Sequence, residues 1–408
     1  MTSPARDAFR YPNFRNFMTA RVLITSAAEM QAVAVGWQIY SLTHRPLDLG
    51  LVGLAQFAPG ILLFLIAGHT ADHFPRQRIL QICYGGFGLC SLLLLSLTLH
   101  GLSAVWPIYA VLLFNGFVRA FNGPASQAFM PLLVPAEVFP NAVTWGSSIF
   151  QAAMVLGPTM GGAIYGFAGS PVPVYCCSAA ACIGALSFMG AIRLQASTRP
   201  RQSPSVAVIL EGIRYIWRNK LILGSISLDL FAVLLGGAVA LLPVYAREIL
   251  HTGAYGLGIL RGAPSAGAVL MAILLVRWPL KRNAGFALFC CVFGFGVFTI
   301  AFGLSRNLAL SIAALVLVGA SDMVSVIIRH TLVQLGTPDE MRGRVSAVNG
   351  LFIGASNEIG QFESGLTAQW FGTVPAVVLG GLGTIAIVLL WAALFPSLRR
   401  VDELVPSP

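Results

Sequence analysis

Charge is what this sequence has least of. Only 10% of its 408 residues are charged and just 15 are acidic, against roughly a quarter charged in ordinary soluble domains. A chain this poor in polar groups cannot cover a soluble globule of its own size. Histidine is scarce as well. The six (His44, His69, His73, His100, His251 and His330) are scattered along the chain, which argues against an enzyme centre built from convergent ligands or nucleophiles. The seven cysteines contain no CxxC pair, so neither a metal cluster nor a disulfide framework is expected. No GxxxxGK[ST] phosphate loop occurs, nor any polar stretch long enough for a soluble domain. ATP-driven pumping, enzymatic activity and a bound cofactor are therefore not expected.

What is present is apolar. Hydrophobic residues make up 57% of the chain. They fall in blocks of about 20 to 25, the length that crosses ~30 Å of hydrocarbon at 1.5 Å per residue. The runs are continuous rather than alternating, so helices and not barrel strands are expected. The fold class is all-α: a polytopic membrane protein with twelve transmembrane helices. They lie near 17–41, 49–70, 77–99, 104–128, 139–168, 172–194, 220–246, 253–276, 284–305, 308–333, 343–371 and 375–397. No cleavable signal peptide is expected, because the apolar stretch behind Arg6, Arg10 and Arg15 is too long for a signal core.

The cations give the orientation. With the N-terminus inside, twenty of the 25 Lys and Arg fall on the cytoplasmic side, including Arg76, Arg78, Arg329, Arg342 and Arg344. Arg45, Arg247 and Arg306 fall outside, and Arg119 and Arg261 lie within spans. This positive-inside bias places both termini in the cytoplasm. The net charge of +10 belongs to loops beside an anionic leaflet, so no nucleic-acid partner is expected.

The chain also repeats itself. At an offset of about 203 residues Pro135-Ala136-Glu137 recurs as Pro338-Asp339-Glu340, Gly116 as Gly319, Gly157 as Gly360, Gly162 as Gly365 and Gly169 as Gly372. The organisation expected is an N-terminal six-helix half (1–194), a basic cytoplasmic linker (195–219) and a C-terminal six-helix half (220–408). With six spans each, the two halves run parallel.

Local motifs then carry a family resemblance. Gly68-His69-Thr70-Ala71-Asp72-His73-Phe74-Pro75-Arg76-Gln77-Arg78 resembles GxxxDRxxRR/K, the loop signature of major facilitator transporters. His73 and Gln77 stand where that signature has basic residues. Gly157-Pro158-Thr159-Met160-Gly161-Gly162 matches the GPxxGG core of the family's antiporter motif, although Ala153 replaces its upstream glycine. Arg119 to Gly123 fits the span-4 element. Longer phrases resemble the bacterial exporter subgroup that contains the enterobactin exporter. They include Gly36-Trp37-Gln38-Ile39-Tyr40, Arg342-Gly343-Arg344-Val345-Ser346 and Phe362-Glu363-Ser364-Gly365.

An intramembrane charge costs at least ~2.5–3.5 kcal/mol on insertion scales, so each one needs a reason. Glu29, Arg119, Asp229, Asp322 and Glu358 fall near midplane depth, with Glu363 further out on span 11. By resemblance, spans 1, 4, 7 and 10 line the central cavity. Glu29 and Asp229, neither with a cation nearby in its own span, are the leading proton-coupling candidates; Asp322, Glu358 and Glu363 follow. A carboxylate desolvated in such a cleft loads and releases protons nearer neutral pH than one in water. Arg119 and Asp322 also admit a static bridge between the halves, and Glu358 and Glu363 a packing role. Gln31, Trp37, Gln38, Tyr40, Asn115 and Gln151 are candidate ligand contacts, though Trp and Tyr near span ends also serve as interfacial anchors.

The resemblance implies a latch of Gly68, Asp72, Arg76 and Arg78 with Arg342 and Arg344 at the start of span 11. In span 5, Gly157, Gly161 and Gly162 allow close packing and Pro158 a bend.

The function expected is a proton-coupled exporter of siderophore-like or hydrophobic small molecules, working by alternating access. An importer of siderophores or a lipid flippase would use the same fold. The expected partners are a small-molecule substrate, protons and the lipid bilayer, the expected state a monomer, and the expected location the bacterial inner membrane.

Overall fold

The computed structural model describes residues 4–102, 104–193, 206–278 and 282–402; within these, the side chains of 4–6, 64, 65, 72, 206–209, 339, 340 and 347 are excepted. Among the described residues there is no strand. The first helices are α1 (Pro12–Thr43), α2 (Pro46–His73), α3 (Arg76–Leu99), α4 (Trp106–Phe129), α5 (Phe139–Ala168) and α6 (Val172–Gly190). After the undescribed stretch come α7 (Val206–Arg218), α8 (Lys220–Leu235) and a short turn, α9 (Leu242–Val244). The chain continues with α10 (Gly253–Arg277), α11 (Ala284–Leu304), α12 (Leu308–Leu335), α13 (Asp339–Phe371), α14 (Thr373–Leu394) and the turn α15 (Pro396–Arg399).

Each expected apolar segment overlaps helix, the seventh in separate pieces. By length and composition, eight segments among the described residues are apolar enough to cross a membrane, among them 46–63 of α2 and the whole Lys220–Ile249 stretch. The remaining expected spans are α1, α4, α5 and α13, the helices that carry Glu29, Arg119, Gln151 and Glu358. Their polar positions are what lower the mean hydropathy. Several helices also outrun the bilayer: α1 has 32 residues, about 48 Å at 1.5 Å per residue.

The structure differs from expectation in two places. Span 7 is not one continuous helix. α8 ends at Leu235, and the chain passes through Gly236 and Gly237 into a 3-10 turn (Ala238–Leu241), α9 and a π turn (Tyr245–Ile249). Paired glycines pay the highest entropy cost in a helix, and Pro243 lacks an amide hydrogen to continue one. The second difference is α7, a helix inside what was expected to be a plain basic linker. Residues 194–205 of that linker lie outside the described part.

The chain divides into two compact units. Unit 1 holds 1–43, 55–203 and 253–258; unit 2 holds 44–54, 204–252 and 259–408. In unit 1, α1 packs on α5 and α6, and α3 on α4 and α6. In unit 2, α8 packs on α13 and α14, and α11 on α12 and α14. The two lists are the same arrangement six spans apart, so the repeat seen in sequence is also a repeat of helix pairings.

Two glycines in register across the repeat also sit at close backbone contacts. In unit 1 a Cβ on Gly162 would stand 2.6 Å from the Ala254 carbonyl oxygen and 2.7 Å from Gly258 Cα. In unit 2 a Cβ on its counterpart Gly365 would stand 2.9 Å from both Gly50 Cα and the Pro46 carbonyl oxygen. Small residues let the backbones touch.

Candidate functional site

In unit 2, α8 presents Asp229 and α12 presents Asp322, Ser325 and Arg329. The α12 positions are spaced three and seven apart, which stacks them on one helix face. Asp229 and Arg329 are both buried and form an ion pair, Arg329 Nη1 to Asp229 Oδ1. Next to the pair lies a small cavity lined by Asp229, Asp322, Ser321, Ser325 and Phe295. The Arg329 Nε, also buried, has no hydrogen-bond acceptor among the described residues. Two carboxylates and one guanidinium thus share a low-dielectric site with a donor to spare. Such an arrangement is sensitive to the gain or loss of a single proton, because each charge is balanced only by its neighbours.

Arg329, expected among the cytoplasmic cations four residues from the end of span 10, is held inside the protein on α12 with 2% of its surface exposed. Asp229 therefore does have a cation nearby, on a different helix. The i, i+3, i+7 spacing of Asp322, Ser325 and Arg329 is the sequence signal for it.

Unit 1 holds Glu29, Arg119 and the candidate ligand contacts. Glu29 on α1 is half-buried, and a Cβ on Gly157 would lie 2.7 Å from Glu29 Cβ. A Cβ on Gly161 would lie 2.7 Å from Met30 Cα. The GPxxGG segment of α5 is thus the seat of α1, and Pro158 gives its carbonyl oxygen to a close approach by Gly258. Gln31 and Gln38 are engaged between helices. Ser91 donates to Gln31 Oε1 at 2.8 Å, Tyr175 to Gln38 Oε1 at 2.6 Å, and Gln38 Nε2 to Thr98 Oγ1 at 3.0 Å. With Tyr40 also buried, this face of α1 ties α3 and α6 together. Trp37 is half-buried and meets Tyr165 edge-on at 6.3 Å. Asn115 and Gln151 are half-buried too. Arg119 donates from Nη1 to Gln56 Oε1 at 2.7 Å within unit 1.

On α13, Glu358 accepts from Gln361 at 3.2 Å and Glu363 from Thr367 at 2.7 Å. Both bonds lie within one turn. Of the expected latch, the Asp72 side chain lies outside the described residues. Arg76 bonds the carbonyls of Ala71 at 3.3 Å and Ala128 at 3.2 Å, joining the ends of α2 and α4 to the start of α3. Arg78 is exposed and Gly68 half-buried. Arg342 bonds the Gln334 carbonyl at 3.1 Å, and Arg344 pairs with Glu211 of α7.

The sequence profile of a family described as transmembrane secretion effector matches residues 3–407. Enterobactin exporters are similar over nearly the whole chain. That of Citrobacter koseri is 24% identical over 98% of this chain and 95% of its own length, and that of Salmonella typhi 26% identical over 97% and 95%. Among solved structures, a bacterial homologue of the human lysosomal transporter Spinster, inward-facing and occupied, superposes with a TM-score of 0.73 at 14% identity, covering both chains fully. A bacterial homologue of the iron transporter ferroportin gives 0.68 at 15% identity, over 95% of this chain and 99% of that one.

Proposed function

The chain belongs to the transmembrane secretion effector family of major facilitator transporters, and from that premise we propose that it is a proton-coupled exporter of siderophore-like or hydrophobic small molecules. It is a multi-pass membrane transporter and not an enzyme. Export is supported by full-length similarity to enterobactin exporters. The observation that carries proton coupling is the buried Asp229–Arg329 pair beside Asp322 and a cavity. A proton taken up by either carboxylate unbalances the guanidinium and so favours a different packing of α8 against α12. One proton moving down 100 mV releases ~2.3 kcal/mol, enough to bias such a two-state element. Glu29, seated on Gly157, is the second coupling candidate. The two six-helix halves, both termini on the cytoplasmic face and residence in a bacterial inner membrane belong to the same reading.

Transport in proteoliposomes with an imposed pH gradient tests it, using a panel of iron-free catecholate siderophores and dyes. Asp229→Asn/Arg329→Met, which removes both buried charges together, or Glu29→Gln should lower gradient-driven transport at least tenfold while counterflow exchange, which needs no net proton movement, is kept within about threefold. Full gradient-driven transport in both variants would move the coupling site elsewhere. An Asp72→Asn variant tests the latch: slowed cycling with intact folding is expected, and unchanged transport would remove the latch.

A further inference from the structure

We propose that the outward face of α7 is a binding surface for anionic phospholipid headgroups at the membrane next to α8. The helix has two unlike faces. Inward, Gly212, Ile213 and Ile216 are buried or half-buried. A Cβ on Gly212 would stand 3.0 Å from the Arg344 carbonyl oxygen, and Ile216 packs with Val345 and Val348 of α13. Tyr215 donates to the Gly336 carbonyl at 2.9 Å, just past α12. This face is held by protein.

Outward, Leu210, Arg214, Trp217 and Arg218 fall at spacings of four, seven and eight, one stripe of the helix. All four are exposed, Trp217 to 68% and Leu210 to 57%. Lys220 follows, also exposed. A large indole and a leucine among three cations, on a 13-residue helix that is not itself a span, is the side-chain chemistry of a helix lying in a headgroup layer.

Position names the occupant. A single residue, Asn219, joins α7 to α8; its backbone is extended and its side chain caps the new helix through the amides of Leu221 and Ile222. Because the Lys220–Ile249 stretch is apolar enough to cross the bilayer, Trp217, Arg218 and Lys220 stand at its point of entry. Three cations there complement phosphate-bearing lipid, whereas a soluble partner would have to approach through the headgroups. The surface is separate from the cavity beside Asp229, so it holds whatever the substrate is.

The full chain in nanodiscs tests it, by hydrogen exchange of the peptide covering 206–218 in discs of phosphatidylcholine with or without phosphatidylglycerol. Phosphatidylglycerol should slow α7 exchange roughly fivefold. Arg214→Gln/Arg218→Gln should abolish that slowing, and Trp217→Ser should halve it. The equally charge-reduced Arg399→Gln/Arg400→Gln should leave it unchanged. Equal exchange in both kinds of disc, or slowing that survives in Arg214→Gln/Arg218→Gln, would overturn the proposal. So would protection found only in discs carrying two copies of the chain, which would make the face a self-contact.

Discussion

Arg329 and Asp229 have to be considered together at the level of single residues. Each is buried, and each leaves an uncompensated charge if the other is removed. Breaking such a pair costs about 3–5 kcal/mol, whereas replacing both partners by neutral groups of similar volume is often nearly free. Asp229→Asn should therefore lower thermal stability strongly, and Asp229→Asn/Arg329→Met should recover most of the loss. Melting curves of purified protein in detergent read this directly. A double variant no more stable than the single would show that the two charges are not coupled. Transport separates stability from mechanism, because the repaired double variant should fold well and still fail to respond to a pH gradient. The pair was half legible in the sequence. Asp229 stood out as an acid in an apolar run, but Arg329 lay close enough to the end of its run to pass for a loop cation. Only the packing of α12 against α8 brings them together.

Among elements, the glycines of α5 and α13 divide into those that are occupied against and those that are not. Gly162 and Gly365 face backbone that cannot swing aside, so Gly162→Val or Gly365→Val should reduce transport at least tenfold. Gly350, in the same α13, has nothing within 4 Å of where a Cβ would stand. With its helix unobstructed, Gly350→Ala should raise stability by ~0.5–1 kcal/mol through the lost freedom of the unfolded chain. Paired thermal melts and transport rates check both expectations. The offset of 203 residues already singled out Gly162 and Gly365, since a glycine kept in register across a repeat marks a backbone contact. Gly350 has no such counterpart, since Ser147 stands at that offset. The α7 helix was obscured for another reason: the four cations of 195–219 and its place between the halves read as a linker, while Val206, Ile209, Ile213 and Ile216 already carried a helical period.

For the molecule as a whole, the helix pairings of unit 1 recur in unit 2, and the cation distribution predicts how the chain is threaded. Cysteines introduced near Gln202 and near His44, in a background without the native cysteines, should react with impermeant reagents from opposite sides of the membrane. Reaction from one side would overturn the threading. The repeat is not perfect, and its main departure is the interruption at Gly236 and Gly237. The matching place in α1 is Gly36 followed by Trp37, and there the helix continues to Thr43. Seven residues separate Glu29 from Gly36, as seven separate Asp229 from Gly236. Under mechanical load this difference should become audible. A chain drawn out of a bilayer by one end gives way helix by helix, and each rupture shows as a force peak. The 12–43 stretch should leave in one event, whereas 220–249 should leave in two, with the step falling at the paired glycines. The same duplicated ancestry would then yield two unlike force signatures, one for each half.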